Sequence, residues 1–258
     1  MEPLTILLVF LFAIIAGLFG SLLGLGGGIF MIPFLSLLLN FEIHQAIAAS
    51  ILGVVAISVM GSTLYLKKGL TDINLGTNLE AITALGALIG ASLAVSMSRD
   101  LLSVIFGSLL LYTFYHMLKG RVEESKENSD NEPKNMKKGL IISFLAGNIA
   151  GMLGVGGGLI QVPLMYKIMK ISIKRAIATS NYIMGVTGAS AALIFLSKEF
   201  VNPLVAIPTI TGIALGAQMG PRLALRWKPR TIRLIFTIVI LYFGVRMSLR
   251  GFGFELTF

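Results

Sequence analysis

The sequence predicts an all-α, polytopic membrane protein built from two inverted repeats, each a Gly-rich broken-helix hairpin plus three transmembrane helices. Three observations lead to this prediction. Of the 258 residues, 55% are hydrophobic and only 13% are charged, against roughly 25% charged residues in a soluble domain. A glycine-rich segment of the first half recurs in the second half. The lysines and arginines collect on one side of the predicted membrane.

Composition also limits the chemistry of the chain. It contains no cysteine, which excludes disulfides, thiolate metal sites and cysteine nucleophiles. Its two histidines, His44 and His116, are too few for a histidine-rich metal site, so we expect neither a metal nor a cofactor. A net charge of +9 would suggest nucleic acid in a soluble protein. Here the basic residues lie in loops between apolar segments, so the lipid bilayer is the expected partner and nucleic acid is not.

Eight apolar segments follow one another along the chain, and a single span needs about 20 residues. They cover roughly 4–39, 46–66, 73–97, 101–118, 139–166, 176–197, 201–220 and 231–245. The first and fifth segments are too long for one span, and both contain glycine clusters. No basic residue precedes the first segment, so we expect a retained span rather than a signal peptide.

An internal repeat relates the two halves. The stretch GSLLGLGGGIFMIPFL at 20–35 returns as AGMLGVGGGLIQVPLM at 150–165, and the same offset of 130 residues pairs Pro33 with Pro163 and Tyr112 with Tyr242. A fixed offset along a whole chain implies two similar structural units. We predict a first transmembrane repeat at 1–118, a charged, loosely ordered cytoplasmic linker at 119–138 and a second repeat at 139–258.

The distribution of positive charge predicts the topology. If every segment crosses once, the lysines and arginines divide almost evenly between the two sides, against the usual cytoplasmic excess. If the first and fifth segments are hairpins that return to the side they entered, all but four of the 21 basic residues lie on one side. Each half then crosses three times, which inverts the second half. Both termini are predicted outside a plasma (inner) membrane.

The glycine clusters predict breaks in the hairpins, at Gly24–Gly28 and Gly154–Gly158. Irregular backbone inside a membrane is tolerated only within protein or at a cavity, and glycine accepts positive φ and close approach of another group. The helix that follows each break offers free N–H groups and a partial positive charge, which favour an anion. Two such ends at the membrane middle would hold a small anion without Lys or Arg. The alternative for these glycines is close helix packing alone.

The candidate substrate-binding residues are the glycines of the breaks and the polar side chains near them. They are Gly26, Gly27, Gly28, Gly156, Gly157, Gly158, Ser21, Ser50, Gln161, Ser180 and Asn181. The hydroxyls and amides could bind the anion or, alternatively, bond to the backbone of a neighbouring helix. Gln161 stands where the first half has Met31, an asymmetry that suits a substrate with two unlike ends or serves only the hairpin backbone.

Two further features lie within the spans. Glu80 is a carboxylate in a predicted span and hence a candidate proton carrier, but polar residues precede it and favour a position at the cytoplasmic surface. Small residues spaced four apart predict close helix packing. These are Gly86, Gly90, Gly216 and Gly220.

The paired segments GLGGGIFMIPFL and GVGGGLIQVPLM, each followed by an AxAxS helix at 46–50 and 176–180, resemble the TauE/SafE sulfite exporter family of membrane transporters, also called TSUP. The resemblance extends from the first hairpin to the last span. It implies transport of small anions, often sulfite or organosulfonates such as sulfoacetate, across a prokaryotic plasma membrane and driven by an ion gradient. It leaves the exact anion, the direction and the coupling ion open.

The sequence therefore predicts a secondary transporter with alternating access, whose partners are a small anion and a coupling ion such as a proton. A passive anion channel is the alternative. The chain has no GxxxxGK[ST] loop for ATP, and its spans contain no nucleophile–base pair or metal cluster, so we do not predict an enzyme. The oligomeric state stays open, with a homo-oligomer allowed.

Overall fold

The computed structural model describes residues 2–119, 132–224 and 229–253, and these residues form ten α-helices. The first half contains α1 (Pro3–Leu23), α2 (Gly28–Pro33), α3 (Ile43–Lys67), α4 (Ile73–Ala94) and α5 (Arg99–Lys119). The second half contains α6 (Met136–Leu153), α7 (Gly158–Pro163), α8 (Ile173–Ser197), α9 (Pro203–Ala224) and α10 (Pro229–Gly251). Short π-helical turns, Phe34–Leu38 and Leu164–Ile168, extend α2 and α7.

The helix boundaries repeat along the chain. The first and last residues of α2, α3 and α4 recur 130 residues later in α7, α8 and α9, and so do those of the π-helical turns. Six helices in the described part are long and apolar enough to cross a membrane, namely α1, α3, α4, α6, α8 and Pro203–Gly220 of α9. Helix α6 begins at Met136, inside the predicted linker 119–138, and the linker residues 120–131 lie outside the described residues.

Each half packs mainly on the other half. Helix α1 lies along α9, and its equivalent α6 lies along α4. Helices α3 and α8 contact each other, and each also packs on a helix of the opposite half, α9 for α3 and α4 for α8. Helix α5 pairs with α10. Exchanging the halves leaves this arrangement unchanged, so the main cores form between the halves rather than within either one.

Glycines allow the two closest helix pairs to form. A Cβ atom on Gly90 of α4 would lie 1.9 Å from the carbonyl oxygen of Asn148 in α6, and one on Gly216 of α9 would lie 1.9 Å from that of Ile14 in α1. The neighbouring Gly86 and Gly220 meet backbone oxygens of the same partner helices at 2.2 and 2.6 Å. The predicted packing role of these four glycines is confirmed.

Equivalent helices run in opposite directions where they meet. Along α3 and α8 the residue numbers of the contacts rise in one helix and fall in the other. The contacting pairs are Val55 with Gly188, Ser58 with Gly185 and Gly61 with Asn181. Helices α5 and α10 follow the same rule, with Val104 beside Gly251 and Leu110 beside Gly244.

Helix α2 folds back along α1. The ring of Phe34 stacks on that of Phe12 at a centroid distance of 3.9 Å, and the rings of Phe30 and Phe19 lie 6.0 Å apart. Beyond α2 the chain has returned to the end of the bundle where α1 begins, and α3 starts there. The first long apolar segment is thus a hairpin, as its length predicted.

Candidate functional site

The two glycine breaks lie directly against each other. A Cβ atom on Gly28 would lie 2.0 Å from the carbonyl oxygen of Gly154, and one on Gly158 would lie 1.8 Å from that of Gly24. Between these contacts, Gly26 lies directly beside its own equivalent, Gly156. No side chain fits at these three contact points. The sequence predicted that another group would approach these glycines closely, and in the structure that group is the backbone of the opposite break.

Backbone conformation accounts for most of the remaining glycines in the breaks. Positive φ angles occur at Gly24 (67°), Gly26 (80°), Gly154 (67°), Gly156 (74°) and Gly157 (74°). Gly27, the equivalent of Gly157, has an ordinary φ of −74°. The halves therefore differ at this one position, which the identical GGG sequence could not reveal.

The N-termini of α2 and α7 are buried within these breaks, and neither has a side-chain cap. The amide of Met31 donates to the carbonyl of Gly27 at 3.1 Å, and its equivalent, the amide of Gln161, donates to the carbonyl of Gly157 at 3.0 Å. The first amides of an α-helix have no partner within the helix and normally use caps, water or ligands. The two breaks thus bring two uncapped helix N-termini close to each other.

Ser50 and Ser180 connect the halves. The hydroxyl of Ser50 donates to the carbonyl of Gly154 at 3.0 Å, and that of Ser180 donates to the carbonyl of Gly24 at 2.8 Å. Both serines are buried. The two predicted site residues therefore bond to backbone in this structure, and each holds the break of the opposite half.

Asn181 and Ser21 belong to one buried cluster between α1, α3 and α8. The amide Nδ2 of Asn181 donates to the carbonyls of Ser21 at 3.1 Å and Ile177 at 3.0 Å, and the hydroxyl of Tyr65 donates to the carbonyl of Ser21 at 3.3 Å. The Oδ1 of Asn181 is buried and finds no partner in the described part of the chain. Because such orphan atoms are rare, this oxygen marks a place for a missing donor.

Gln161 bonds to the side chains of two other helices. Its Nε2 donates to the hydroxyl of Thr83 on α4 at 2.9 Å, and its Oε1 accepts from the hydroxyl of Ser143 on α6 at 3.3 Å. Both polar groups of this side chain therefore have partners in this structure. Gln161 ties α7 to α4 and α6, and its role at the substrate stays a prediction.

Glu80 is buried against α8, and its depth relative to the cytoplasmic surface stays a prediction. Its residue exposure is 9%, and Oε1 accepts a hydrogen bond from the amide of Val186 at 3.2 Å. Helix α4 begins well before this residue. Asp72 caps the helix by accepting from the amide of Leu75 at 3.0 Å, so Glu80 lies two turns inside the helix and faces α8.

Sequence reasoning did not single out Tyr65, Thr83 or Ser143. Hydroxyls are common in membrane helices, where they bond to their own backbone, as Thr83 does to the carbonyl of Leu79 at 2.6 Å. Their second partners come from other helices, and no spacing along the chain encodes those contacts.

A bundle of apolar helices in two repeated halves, with buried helix breaks crossing at its centre, defines the class of polytopic membrane transporters. The sequence model described as "Sulfite exporter TauE/SafE" matches residues 9–247, and the chain belongs to this family.

Relatives agree with that assignment across nearly the whole chain. The chain is 27% identical to the probable membrane transporter protein YunE of Bacillus subtilis (strain 168), over 92% of this chain and 95% of that protein. It is 23% identical to the probable membrane transporter protein YfcA of Escherichia coli (strain K12), over 99% and 94%. It is 21% identical to the probable membrane transporter protein MJ0441 of Methanocaldococcus jannaschii, over 91% and 92%. No solved structure matches the chain.

Proposed function

We propose that this protein is a secondary transporter that carries a small anion, sulfite or an organosulfonate such as sulfoacetate, across the plasma membrane by alternating access. The anion binds between the two glycine breaks. The observation that carries the proposal is the contact between the two glycine breaks, each of which leads into a helix N-terminus without a side-chain cap. Membership of the TauE/SafE family supports the choice of substrate class.

The electrostatics of the crossing suit an anion. Amides at a helix N-terminus carry partial positive charge, and buried donors gain strength where water is excluded. A sulfonate has three oxygens to distribute among such donors. The buried Oδ1 of Asn181 has no partner among the described residues, and as an acceptor it suits a bound water rather than the anion itself.

We further propose that the two halves are inverted in the membrane. The antiparallel contacts of α3 with α8 and of α5 with α10 support this arrangement, as does the return of each hairpin to its starting side. Arg250 donates to the carbonyl of Ser36, which sets the end of α10 beside the end of the first hairpin. With the basic loops in the cytoplasm, the end of the bundle that carries both termini faces outward.

In this structure the two glycine breaks are in contact. Substrate can enter only if Gly28 separates from Gly154 and Gly158 separates from Gly24, which also breaks the bonds of Ser50 and Ser180. These bonds join opposite halves, so rocking one half against the other opens the crossing. Two equivalent gates on a repeat axis suit alternating access. A passive channel would not accumulate its anion against a gradient.

The test is ligand-dependent thermal stability of the purified protein with sulfite, thiosulfate, sulfoacetate, taurine, sulfate and acetate at matched ionic strength. A ligand at 100 times its Kd should add about 2.7 kcal/mol. Gly157→Leu should abolish that gain. Gly69→Leu is the matched control, since Gly69 also has a positive φ, 65°, but lies in a loop with no atom within 4 Å of its Cβ position. A gain that survives in folded Gly157→Leu protein would contradict the proposed site.

A further inference from the structure

We propose that Glu80 is a proton-binding residue that couples proton movement to the opening of the contact between the two halves. The coupling role rests on the proposed transport function, whereas the position of Glu80 is given by the contact between α4 and α8. Glu80 belongs to the first half and Val186 to the second, and the 3.2 Å hydrogen bond between them joins the two.

The position of this bond is central. Val186 is the equivalent of Ala56, and α3 and α8 meet around these two residues, with Val55 beside Gly188 and Ser58 beside Gly185. The repeat axis passes through that meeting point. The carboxyl group of Glu80 therefore reaches the level of the membrane middle, although its own Cα lies nearer one end of α4.

No basic side chain in the described ranges neutralises the carboxylate at this level. No Lys, Arg or His of the described residues forms an ion pair with Glu80. The titratable groups on the helices packed against α4 are Lys174, Arg175 and Tyr182 on α8 and Lys137 and Lys138 on α6. The four basic residues lie in the first turn of their helices, and Arg175 is held by Asp72 at 2.8 Å. An unpaired charge inside a membrane protein is costly, and binding one proton removes it.

Separate polar contacts lie between this carboxyl group and one end of the bundle. One turn before Glu80, the hydroxyl of Thr77 lies 3.5 Å from that of Tyr182. One turn further, the amide of Asp72 donates to the hydroxyl of Thr179 at 3.0 Å. Asp72 lines an open cavity of about 440 Å³ with Asn74 and Asn78. This end carries the loops that we place in the cytoplasm.

Protonation changes the strength of the contact between the halves. A carboxylate accepts roughly twice as strong a hydrogen bond from an amide as a neutral group does. Uptake of one proton by Glu80 thus weakens its bond to Val186 and favours separation of α4 from α8, and release of that proton restores the bond. A proton bound from one side and released to the other in each cycle would link the gradient to the rocking of the halves.

The first test needs no knowledge of the substrate. Dicyclohexylcarbodiimide modifies protonated carboxyl groups in apolar surroundings, and the modified peptide is found by mass spectrometry of the full-length protein. Labelling of Glu80 is expected at acidic pH and is expected to fall as the pH rises. Glu80→Gln keeps an acceptor for Val186 and loses the label, whereas Glu199→Gln, in an exposed loop, leaves it unchanged. Absent or pH-independent labelling of Glu80 would overturn the proposal.

The second test measures proton flux in proteoliposomes that contain a pH-sensitive dye and receive a gradient of sulfite or sulfoacetate. Wild type and Glu199→Gln should move protons with the anion. Glu80→Gln should still exchange the anion but leave proton flux at the level of liposomes without protein. Proton flux retained in Glu80→Gln, or accumulation that follows a sodium gradient instead, overturns the role of Glu80. If wild type transports neither anion, the choice of substrate fails, while the labelling result still decides whether Glu80 binds a proton.

Discussion

Gly28→Ala is the sharpest single test of the crossing. Gly28 and its neighbour Gly27 are both buried, and neither has a positive φ, so alanine is compatible with the backbone at both positions. They differ in what a methyl group would meet. At Gly28 it meets the carbonyl oxygen of Gly154 at 2.0 Å, and at Gly27 it meets the terminal carbon of Ile213 at 3.2 Å. Gly27→Ala is thus the matched control.

The expected loss of stability in each variant follows from those distances. A carbon atom approaches a carbonyl oxygen to about 3.3 Å, so the two breaks must move apart by about 1.3 Å to admit the methyl group of Gly28→Ala. Overpacking of this kind costs about 1–3 kcal/mol. At Gly27 the end of a flexible side chain can yield, and alanine also lowers the entropy of the unfolded chain by an equivalent of about 0.4–1 kcal/mol. We expect Gly27→Ala to be close to neutral.

The assay is the unfolding midpoint of each purified variant in one detergent. For a chain of this size, 1 kcal/mol corresponds to about 2–4 °C, so Gly28→Ala should lower Tm by several degrees relative to Gly27→Ala. Gly158→Ala, whose methyl group would lie 1.8 Å from the carbonyl oxygen of Gly24, should behave like Gly28→Ala. Equal midpoints for Gly27→Ala and Gly28→Ala would refute the crossing.

Three further substitutions test individual bonds by the same measurement. Gly157→Ala should be less stable than Gly27→Ala by about 1–2 kcal/mol, because only Gly157 has a positive φ; equal values would contradict the difference between the halves. Ser180→Ala should lose about 1 kcal/mol with its bond to the opposite half, and a neutral result would mean that water replaces the hydroxyl. Gln161→Met should destabilise by about 1–3 kcal/mol by leaving the buried hydroxyl of Ser143 without its acceptor yet preserve stabilisation by a bound anion. Loss of that stabilisation would return Gln161 to the substrate site.

The hairpins could be predicted because their signal is local. Glycine and proline in a long apolar run have few other uses in a membrane, and the run is too long for one span. The constant offset then paired Gly28 with Gly158, and the need for close approach was already implied by three adjacent glycines. The structure adds that the group that approaches each glycine break is the other glycine break.

The partners of polar side chains could not be predicted, since they depend on contacts between halves. Ser50 and Ser180 were correctly placed near the breaks, but the choice between substrate and backbone required the positions of Gly154 and Gly24. Gln161 lies three residues from its glycines and still turns toward α4 and α6. For Glu80 the predicted start of the span at residue 73 agrees with the start of α4, but its burial depends on a hydrogen bond to Val186, 106 residues away.

The packing of α1 on α9 has a consequence for how the protein is made. Helix α1 leaves the ribosome about 200 residues before α9, and at ~5–20 residues per second it waits roughly 10–40 s for its partner. During that time Gly17, which will lie against the backbone of Ile213, and the uncapped helix N-terminus of the first break face lipid or a helper protein. A ribosome stalled inside the second half therefore leaves a first half without its neighbours, exposed to the quality-control proteases of the membrane.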